Sequence, residues 1–523
     1  MSGLLVAGTG SDAGKSLLTA GICRWLHRRG VRVAPFKAQN MALNSAVTRG
    51  GAEIGRAQAM QAAAAGVEPE AAMNPVLIKP SGVRHSQVIL NGRPYADADG
   101  RSYQELKAGL RAPVLAALED LRSRFDTVIC EGAGSPAEIN LRAGDLANMG
   151  LARAAGLPVV VVGDIDRGGV FAALYGTLAL LEPADQALVA GFLINKFRGD
   201  QAILAPGLDR LRELTGRETL GVLPFQDGLW LDVEDSLALE REPEAHAARG
   251  PDTLDVAVIR LRWISNFTDI DALASEPGVR VRFTRSVTDV ERADLVLLPG
   301  TKATVEDLER LRASGLADAI ARRAHRGGPV LGVCGGYQML GRRIEDGVES
   351  RRGTVDGLGL LPVQTTFSPE KLLRHVTGTL EGEPAAGYEI RHGRLRRDGG
   401  AALIDDGTPA GEGCVDGAVL GTSWHGLLEG DGVRRAILRG VAQRQGRDWV
   451  PGDAPFAAVR ERHLDRLGDL IEEHADTEAL LALIERGAPA DLPVVRHGLE
   501  AAPPGHPRST GGSSLGGVMC SSS

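Results

Sequence analysis

Aromatic residues make up only 4% of the 523 residues, and there are five cysteines, Cys23, Cys130, Cys334, Cys414 and Cys520, with no Cys-x-x-Cys pair among them. That spacing excludes a disulfide framework and a structural zinc site, so a reducing compartment, the cytoplasm, is expected. No segment approaches about 18 uninterrupted apolar residues, and the N-terminus lacks the charged, apolar and cleavable order of a signal peptide. Neither export nor a membrane span is expected. No Lys or Arg run stands out and the formal charge is -8, which leaves small molecules, not nucleic acid or an anionic membrane, as the expected partners. What is plentiful is glycine, 68 residues, beside 43% hydrophobic residues. Such a composition suits a globular α/β chain, and its length exceeds what one core usually organises.

Short apolar runs at 4–7, 31–35, 127–130, 158–162 and 190–194 alternate with helix-like stretches, the rhythm of a parallel sheet. Runs at 254–259, 279–283, 295–298 and 329–333 repeat it, followed over 353–430 by Gly-rich turns between short strands. The fold class expected is therefore α/β in two domains, each with a mainly parallel sheet flanked by helices. The boundaries expected are 1–240, a linker at 241–252, 253–497, and a disordered tail at 498–523. Apolar positions at helical spacing over 456–486 predict closing helices that pack on the second domain.

Directly after the first apolar run comes Gly8-Thr9-Gly10-Ser11-Asp12-Ala13-Gly14-Lys15-Ser16, followed by an apolar-periodic helix. Strand, Gly-rich loop and helix make a phosphate cradle. Backbone amides at Thr9, Gly10 and Gly14 turn inward, the helix dipole favours the anion, Lys15 adds charge and Ser16 can ligate magnesium. The loop is one residue longer than the standard pattern, since its leading glycine is at 8. Carboxylates at sheet ends face the ligand crevice, which makes Glu131, Asp12 and Asp164 the candidate partners of a magnesium ion held with ATP. Lys37, Gln39, Asn40 and Asn44 follow another strand end and offer a cation and three amides, groups suited to binding a carboxylate substrate. Lys79 alone reads as a surface lysine.

Gly332-Val333-Cys334-Gly335-Gly336 has the form of a nucleophile elbow, a strained strand-to-helix turn that exposes the thiol and aims the Gly335 amide at a developing oxyanion. Gly300, in the turn after 295–298, is the candidate second donor. The base is open between His425 and His392 on spacing alone.

The elbow resembles that of class I glutamine amidotransferases, and the phosphate loop that of dethiobiotin synthetase-like ATPases, a P-loop NTPase-like fold. One family fuses the two, the cobyrinic acid amidating enzymes. The chain resembles it through Pro35-Phe36-Lys37-Ala38-Gln39-Asn40-Met41-Ala42-Leu43-Asn44-Ser45, Met73-Asn74-Pro75-Val76-Leu77-Ile78-Lys79-Pro80 and Gly134-Ser135-Pro136-Ala137-Glu138-Ile139-Asn140-Leu141, over residues 3 to roughly 490. The resemblance implies glutamine as nitrogen donor, ATP with Mg2+, and a corrinoid substrate, adenosylcobyrinate a,c-diamide, whose b, d, e and g carboxylates are amidated for cobalamin. It assigns the base to His425, in His425-Gly426-Leu427-Leu428-Glu429, and adenine reading to Asn195. No His-x-Glu follows, so the usual third acid is missing, with Glu429 a weak substitute. The alternatives are an a,c-diamide synthase, another carboxylate amidase, or a partitioning-type nucleotide switch.

Overall fold

The computed structural model describes residues 2–81, 85–226, 228–229 and 249–495. The expected linker lies outside them up to residue 248, as does the whole of the expected tail from 498.

The first half is organised by a six-stranded sheet in the order Glu218–Pro224, Val189–Phe197, Val159–Asp164, Ser2–Gly8, Thr127–Glu131, Val33–Phe36, every neighbouring pair parallel. Successive strand side chains leave opposite faces. Leu5, Ala7, Val159 and Val161 accordingly join one apolar cluster, and Leu4, Val6, Val160 and Val162 join another. Burial on both faces is why these strands read as unbroken apolar runs. A smaller sheet, Gln39–Met41, Val76–Pro80, Ser86–Leu90 and Arg93–Ala98, and a hairpin of Ser45–Val47 with Glu53–Gly55 stand beside it.

The second half repeats the plan. Val279–Thr284, Leu254–Ile259, Leu295–Leu298, Val330–Val333 and Val419–Thr422 run parallel, and Cys414–Asp416 closes the edge antiparallel. The two-sheet α/β expectation is thus met in both halves. No helix among the described residues is long and apolar enough to cross a membrane.

Two expectations are corrected. The segment 353–430 is dominated not by short strands but by one long hairpin, Val363–Leu380 paired with Glu383–Arg397. Within the hairpin only Gly382, at φ 85°, makes the turn, while the expected left-handed glycine turns come after it, at Gly400, Gly407, Gly411, Gly413 and Gly417. Gly387 instead allows close approach, since a Cβ there would stand 2.6 Å from the His425 carbonyl oxygen. The hairpin reaches the first half, where Tyr388 and Ile390 pack on Val47.

The closing helices are the second correction. Phe456–His474 begins with Phe456 in the second core, but Leu464, Leu467, Leu470 and Ile471 pack with Leu18, Ile22 and Leu26 of the first half, as do Leu480, Leu483 and Ile484. Arg24 reaches Glu461 and Asp465, and Arg28 reaches Asp465 and Asp469. Periodicity reveals that a helix has an apolar face, not which core receives it. The helix that receives these residues, Lys15–Arg28, is the one the phosphate loop opens into.

The fit is close at Gly21, where a Cβ would lie 2.6 Å from the Leu467 carbonyl oxygen and 2.9 Å from Ile471. Backbone cannot yield as a side-chain end can. Gly21→Ala is expected to destabilise the chain by about 1–3 kcal/mol, read as a lower midpoint in chemical denaturation.

Candidate active sites

The carboxyl ends of the first sheet converge on the phosphate loop. Gly14 opens the following helix at φ 94°, a left-handed conformation that glycine adopts without strain. Asn195 packs against it so tightly that a Cβ on Gly14 would sit 2.1 Å from the Asn195 amide nitrogen, which donates to the Ala13 carbonyl at 3.0 Å. Lys15 is buried, its Nζ donating to the carbonyls of Gly10 at 2.7 Å and Gly134 at 3.1 Å. The Thr9 amide donates to the Val162 carbonyl at 2.9 Å, extending the sheet, so it is not turned into the cradle as expected. The other five residues expected around the nucleotide, Gly10, Gly14, Lys15, Ser16 and Asn195, lie in or against the loop.

Glu131 lies under that loop with no exposure. Its Oε1 accepts from Ser16 Oγ at 2.7 Å and Lys37 Nζ at 2.8 Å, and its Oε2 from Gln61 at 2.6 Å. Burial alone would raise its pKa, but the Lys37 charge and these three donors outweigh burial and hold it below the ordinary carboxylate range. Asp12 and Asp164 are engaged elsewhere. Asp12 pairs with Arg167 at 2.8 Å, and Asp164 with Lys196 at 2.7 Å. Of the oxygens expected around magnesium, Ser16 and Glu131 come together, and all three carboxylates rest on cations, Glu131 on Lys37, Asp12 on Arg167 and Asp164 on Lys196.

The polar block 37–45 does not form one binding surface. Lys37 faces Glu131, and Gln39 accepts from the Tyr103 hydroxyl at 2.5 Å. Asn40, on the opposite strand face, donates to Gln58 Oε1 at 2.9 Å in the interior. Asn44 stands at the junction between halves, its Oδ1 accepting from the Phe267 amide at 3.3 Å. Nor is Lys79 a surface residue: it is 3% exposed and bonded to Glu53 at 2.7 Å.

In the second half, parallel pairing of Val330–Val333 with Val419–Thr422 brings Cys334 and His425 to one sheet edge, and Gly300 follows the strand on the other side. Cys334 takes φ 50° and ψ -105°, the strained turn expected of an elbow. Gly300 and Gly335 flank it: a Cβ on Gly300 would lie 2.9 Å from His425 Cε1, and one on Gly335 3.0 Å from the Thr301 amide nitrogen. His392 is turned away, its Nδ1 against the Ser368 carbonyl at 3.0 Å, although it lines the same pocket with Arg391 and Lys302.

His425 has an acid after all. Its Nδ1 donates to Asp269 Oδ2 at 2.6 Å, and the Gly426 amide donates to Oδ1 at 2.7 Å. Burial would lower the imidazole pKa, but the charges of Asp269 and Cys334 and the hydrogen bonds to both raise it to about 10. Tyr388 stacks on the ring at 5.6 Å. Glu429 has a different task, pairing with Arg56 of the first half at 2.7 Å and Arg460 at 3.1 Å. Sequence reasoning missed Asp269 because it searched downstream of the histidine. The available signal was an acid in the connection that follows the strand Leu254–Ile259, at the same carboxyl edge as Cys334.

A model of the CobQ/CobB/MinD/ParA nucleotide binding domain matches residues 4–237, and one of the CobB/CobQ-like glutamine amidotransferase domain matches residues 255–433. A cobyric acid synthase of Frankia casuarinae is 62% identical, covering 95% of this chain and 99% of that protein. One of Streptomyces coelicolor is 61% identical, covering 97% and 99%. One of Mycolicibacterium paratuberculosis is 57% identical, covering 94% and 98%. With both halves matched in order and the identity sustained over nearly the whole length, the chain belongs to the cobyric acid synthase family of ATP-dependent glutamine amidotransferases.

Proposed function

We propose that this enzyme amidates the b, d, e and g carboxylates of adenosylcobyrinate a,c-diamide, in the cytoplasm, using ammonia made at Cys334 and ATP bound at residues 8–16. Its synthetase domain spans 1–240, and the amidotransferase domain begins at 253 and lends its last helices to the synthetase. The observation that carries the reading is the hydrogen-bonded Asp269–His425 pair beside the elbow cysteine, in a chain whose other half holds a complete phosphate loop.

In the glutaminase step the Cys334 sulfur attacks the side-chain amide carbon of glutamine. The amides of Gly335 and the Gly300 turn hold the oxyanion, and the His425 imidazolium gives a proton to the departing ammonia. Water then hydrolyses the thioester, releasing glutamate and restoring the thiolate. Asp269 orients the ring and stabilises its charge, as the acid does in serine hydrolases.

In the synthetase step the γ-phosphoryl group passes from ATP to a substrate carboxylate, because a free carboxylate is a poor electrophile. Ammonia attacks the acyl phosphate and phosphate leaves. Lys15 and the loop amides hold the transferring phosphates, Asn195 reads adenine, and Lys37 with Gln39 receives the carboxylate. Asn40 and Asn44 act behind this surface. A hydroxyl and a carboxylate oxygen 2.7 Å apart under the loop fit magnesium, so Ser16 and Glu131 would hold it. The ion would neutralise phosphate charge. Glu131 would hold the ion by releasing Lys37, which frees that ammonium for the substrate carboxylate, and Asp12 and Asp164 would join only by releasing Arg167 and Lys196.

Support for a corrinoid comes from the surface beside Gln39. Met41 lies on the same strand face as Gln39 and is 62% exposed, while Ile139 and Leu141 are 60% and 43% exposed. Their turn, Ile139–Gly144, packs on the helix that supplies Tyr103 to Gln39. Exposed apolar side chains beside a phosphate site suit a broad, largely apolar ring whose carboxylates reach inward.

Cys334→Ser is expected to abolish glutamine-dependent synthesis and keep ammonium-dependent synthesis, followed by the mass of the amidated corrinoid. Loss with both nitrogen sources would count against separate sites. Lys15→Ala should cut synthesis from either source by roughly a hundredfold or more while leaving glutamine hydrolysis. Asp269→Asn should lower kcat for glutamine hydrolysis by about a hundredfold or more with KM nearly unchanged. The same variant should bring the His425 pKa down from about 10, read by NMR titration. Because the folded value lies above the ordinary 6.5, the stabilising contribution of the imidazolium is complete below 6.5 and is lost as pH rises through about 10.

A further inference from the structure

The pocket in front of Cys334 carries more charge than the glutaminase step uses. Lys79, Lys302, Lys371, Arg391 and Glu349 share its wall with Cys334 and His425. Three of the four cations are matched by buried carboxylates that stand behind the wall. Lys79, from the first half, and Lys371, from the long hairpin of the second, meet on Glu53 at 2.7 Å and 2.5 Å. Arg391 grips Glu389 through Nε at 2.9 Å and Nη2 at 2.5 Å. Lys302 differs. Its ammonium reaches Glu349 at 2.5 Å, and both members of that pair belong to the wall itself.

Each member is set in place by backbone. Lys302 follows the Gly300 turn, with its amide donating to the Trp263 carbonyl at 3.0 Å and the Thr301 hydroxyl before it donating to Asp307 at 2.5 Å. Glu349 stands in the turn after the strand Arg343–Asp346, where the buried Asp346 carboxylate accepts from the amides of Val348 at 3.0 Å and of Glu349 and Ser350 at 2.8 Å. Burial alone would lower the Lys302 pKa, but the charge and hydrogen bond of Glu349 outweigh it and raise it, so the group stays a cation.

A buried ion pair is a poor source of stability, because desolvation takes back most of the attraction. In the wall of a pocket it has another use. It can open and exchange each partner for an ion of a ligand that carries both charges, and the net charge of the pocket does not change. Glutamine is such a ligand, with a carboxylate and an ammonium on one carbon and a short aliphatic chain between that carbon and the amide.

We propose that Lys302 and Glu349 select glutamine by its α-amino acid end: the pair opens, Lys302 receives the α-carboxylate and Glu349 the α-ammonium. The assignment rests on the reading of Cys334 as the glutaminase nucleophile. The turn that offers an oxyanion donor at Gly300 thus offers a cation two residues later. Lys79 and Lys371 share the single carboxylate of Glu53, so the wall keeps an excess of positive charge for the entering carboxylate to offset.

The test compares ammonia release from glutamine, from glutaramate, which lacks the α-amino group, and from 4-aminobutanamide, which lacks the α-carboxylate. Glu349→Gln is expected to raise KM for glutamine roughly thirtyfold with kcat within about threefold, since the charged end is remote from the bond that breaks. Its preference for glutamine over glutaramate should shrink about tenfold or more, and its preference over 4-aminobutanamide should stay within about twofold. Lys302→Met should raise KM similarly and shrink the second preference instead of the first. A folded variant whose losses fall equally on all three amides, or variants that exchange these two patterns, overturn the proposal. If thermal unfolding shows that a single variant does not fold, the double variant Lys302→Gln with Glu349→Gln leaves no charge unpaired. It should lose both preferences, and keeping either overturns the proposal. A wild-type enzyme that releases no ammonia from glutamine would instead defeat the functional reading.

Discussion

A carboxylate removed from water is destabilising unless its charge and lone pairs are matched, and Glu131 has no exposure at all. Ser16, Lys37 and Gln61 match it. These three come from the phosphate-loop helix, the end of the neighbouring strand and the helix Arg56–Ala64, so one buried anion fixes three elements around the place where phosphate must bind. Removing Lys37 would leave its charge uncompensated in the interior, a loss of about 3–5 kcal/mol where a buried pair is broken. The site is therefore held in shape by the fold before a ligand arrives, as electrostatic catalysis requires.

Glu53 does the same at the junction of the halves. Its pKa is held well below the carboxylate range: burial opposes ionisation, but Lys371 and Lys79 outweigh it. Between Glu53 and Glu131 run Gly55, Asn40, Gln58 and Gln61, so the buried charges and amides form one system instead of two separate sites. The carboxylate that holds His425 belongs to it as well. Asp269 sits in a short turn, Phe267–Ile270, tied to the first half through Asn44 on the Phe267 amide and through the Ser45 amide on Asn266 Oδ1. The placement of Asp269 beside His425 is thus braced by contact with the first half.

Much of this was legible in the sequence. Alternation of apolar runs with helices gave both sheets, since strands buried on two faces show no polar alternation to confuse with anything else. The phosphate loop and the elbow were visible because each compresses its chemistry into a few adjacent residues. Asp269 was not visible: it lies 156 residues from His425, and only the sheet order brings them together. Lys79 looked like a surface lysine, because no local pattern distinguishes a charge whose partner lies on another strand. The helix at 456–474 showed an apolar stripe but not its destination.

That destination bears on how the halves communicate. Phe456–His474 leaves the second core at Phe456, is held at Arg460 by Glu429, and lies along Lys15–Arg28 from Leu464 onward. Glu429 closes the turn that begins just after His425 and also grips Arg56, the first residue of the helix that carries Gln58 and Gln61. The loop that carries His425 is therefore tied in two directions, through Arg56 to the helix of Gln58 and Gln61 and through Arg460 to the helix behind the phosphate loop. Close-packed interiors hold such ties in one arrangement. One carboxylate, four residues beyond His425, joins three elements drawn from both halves.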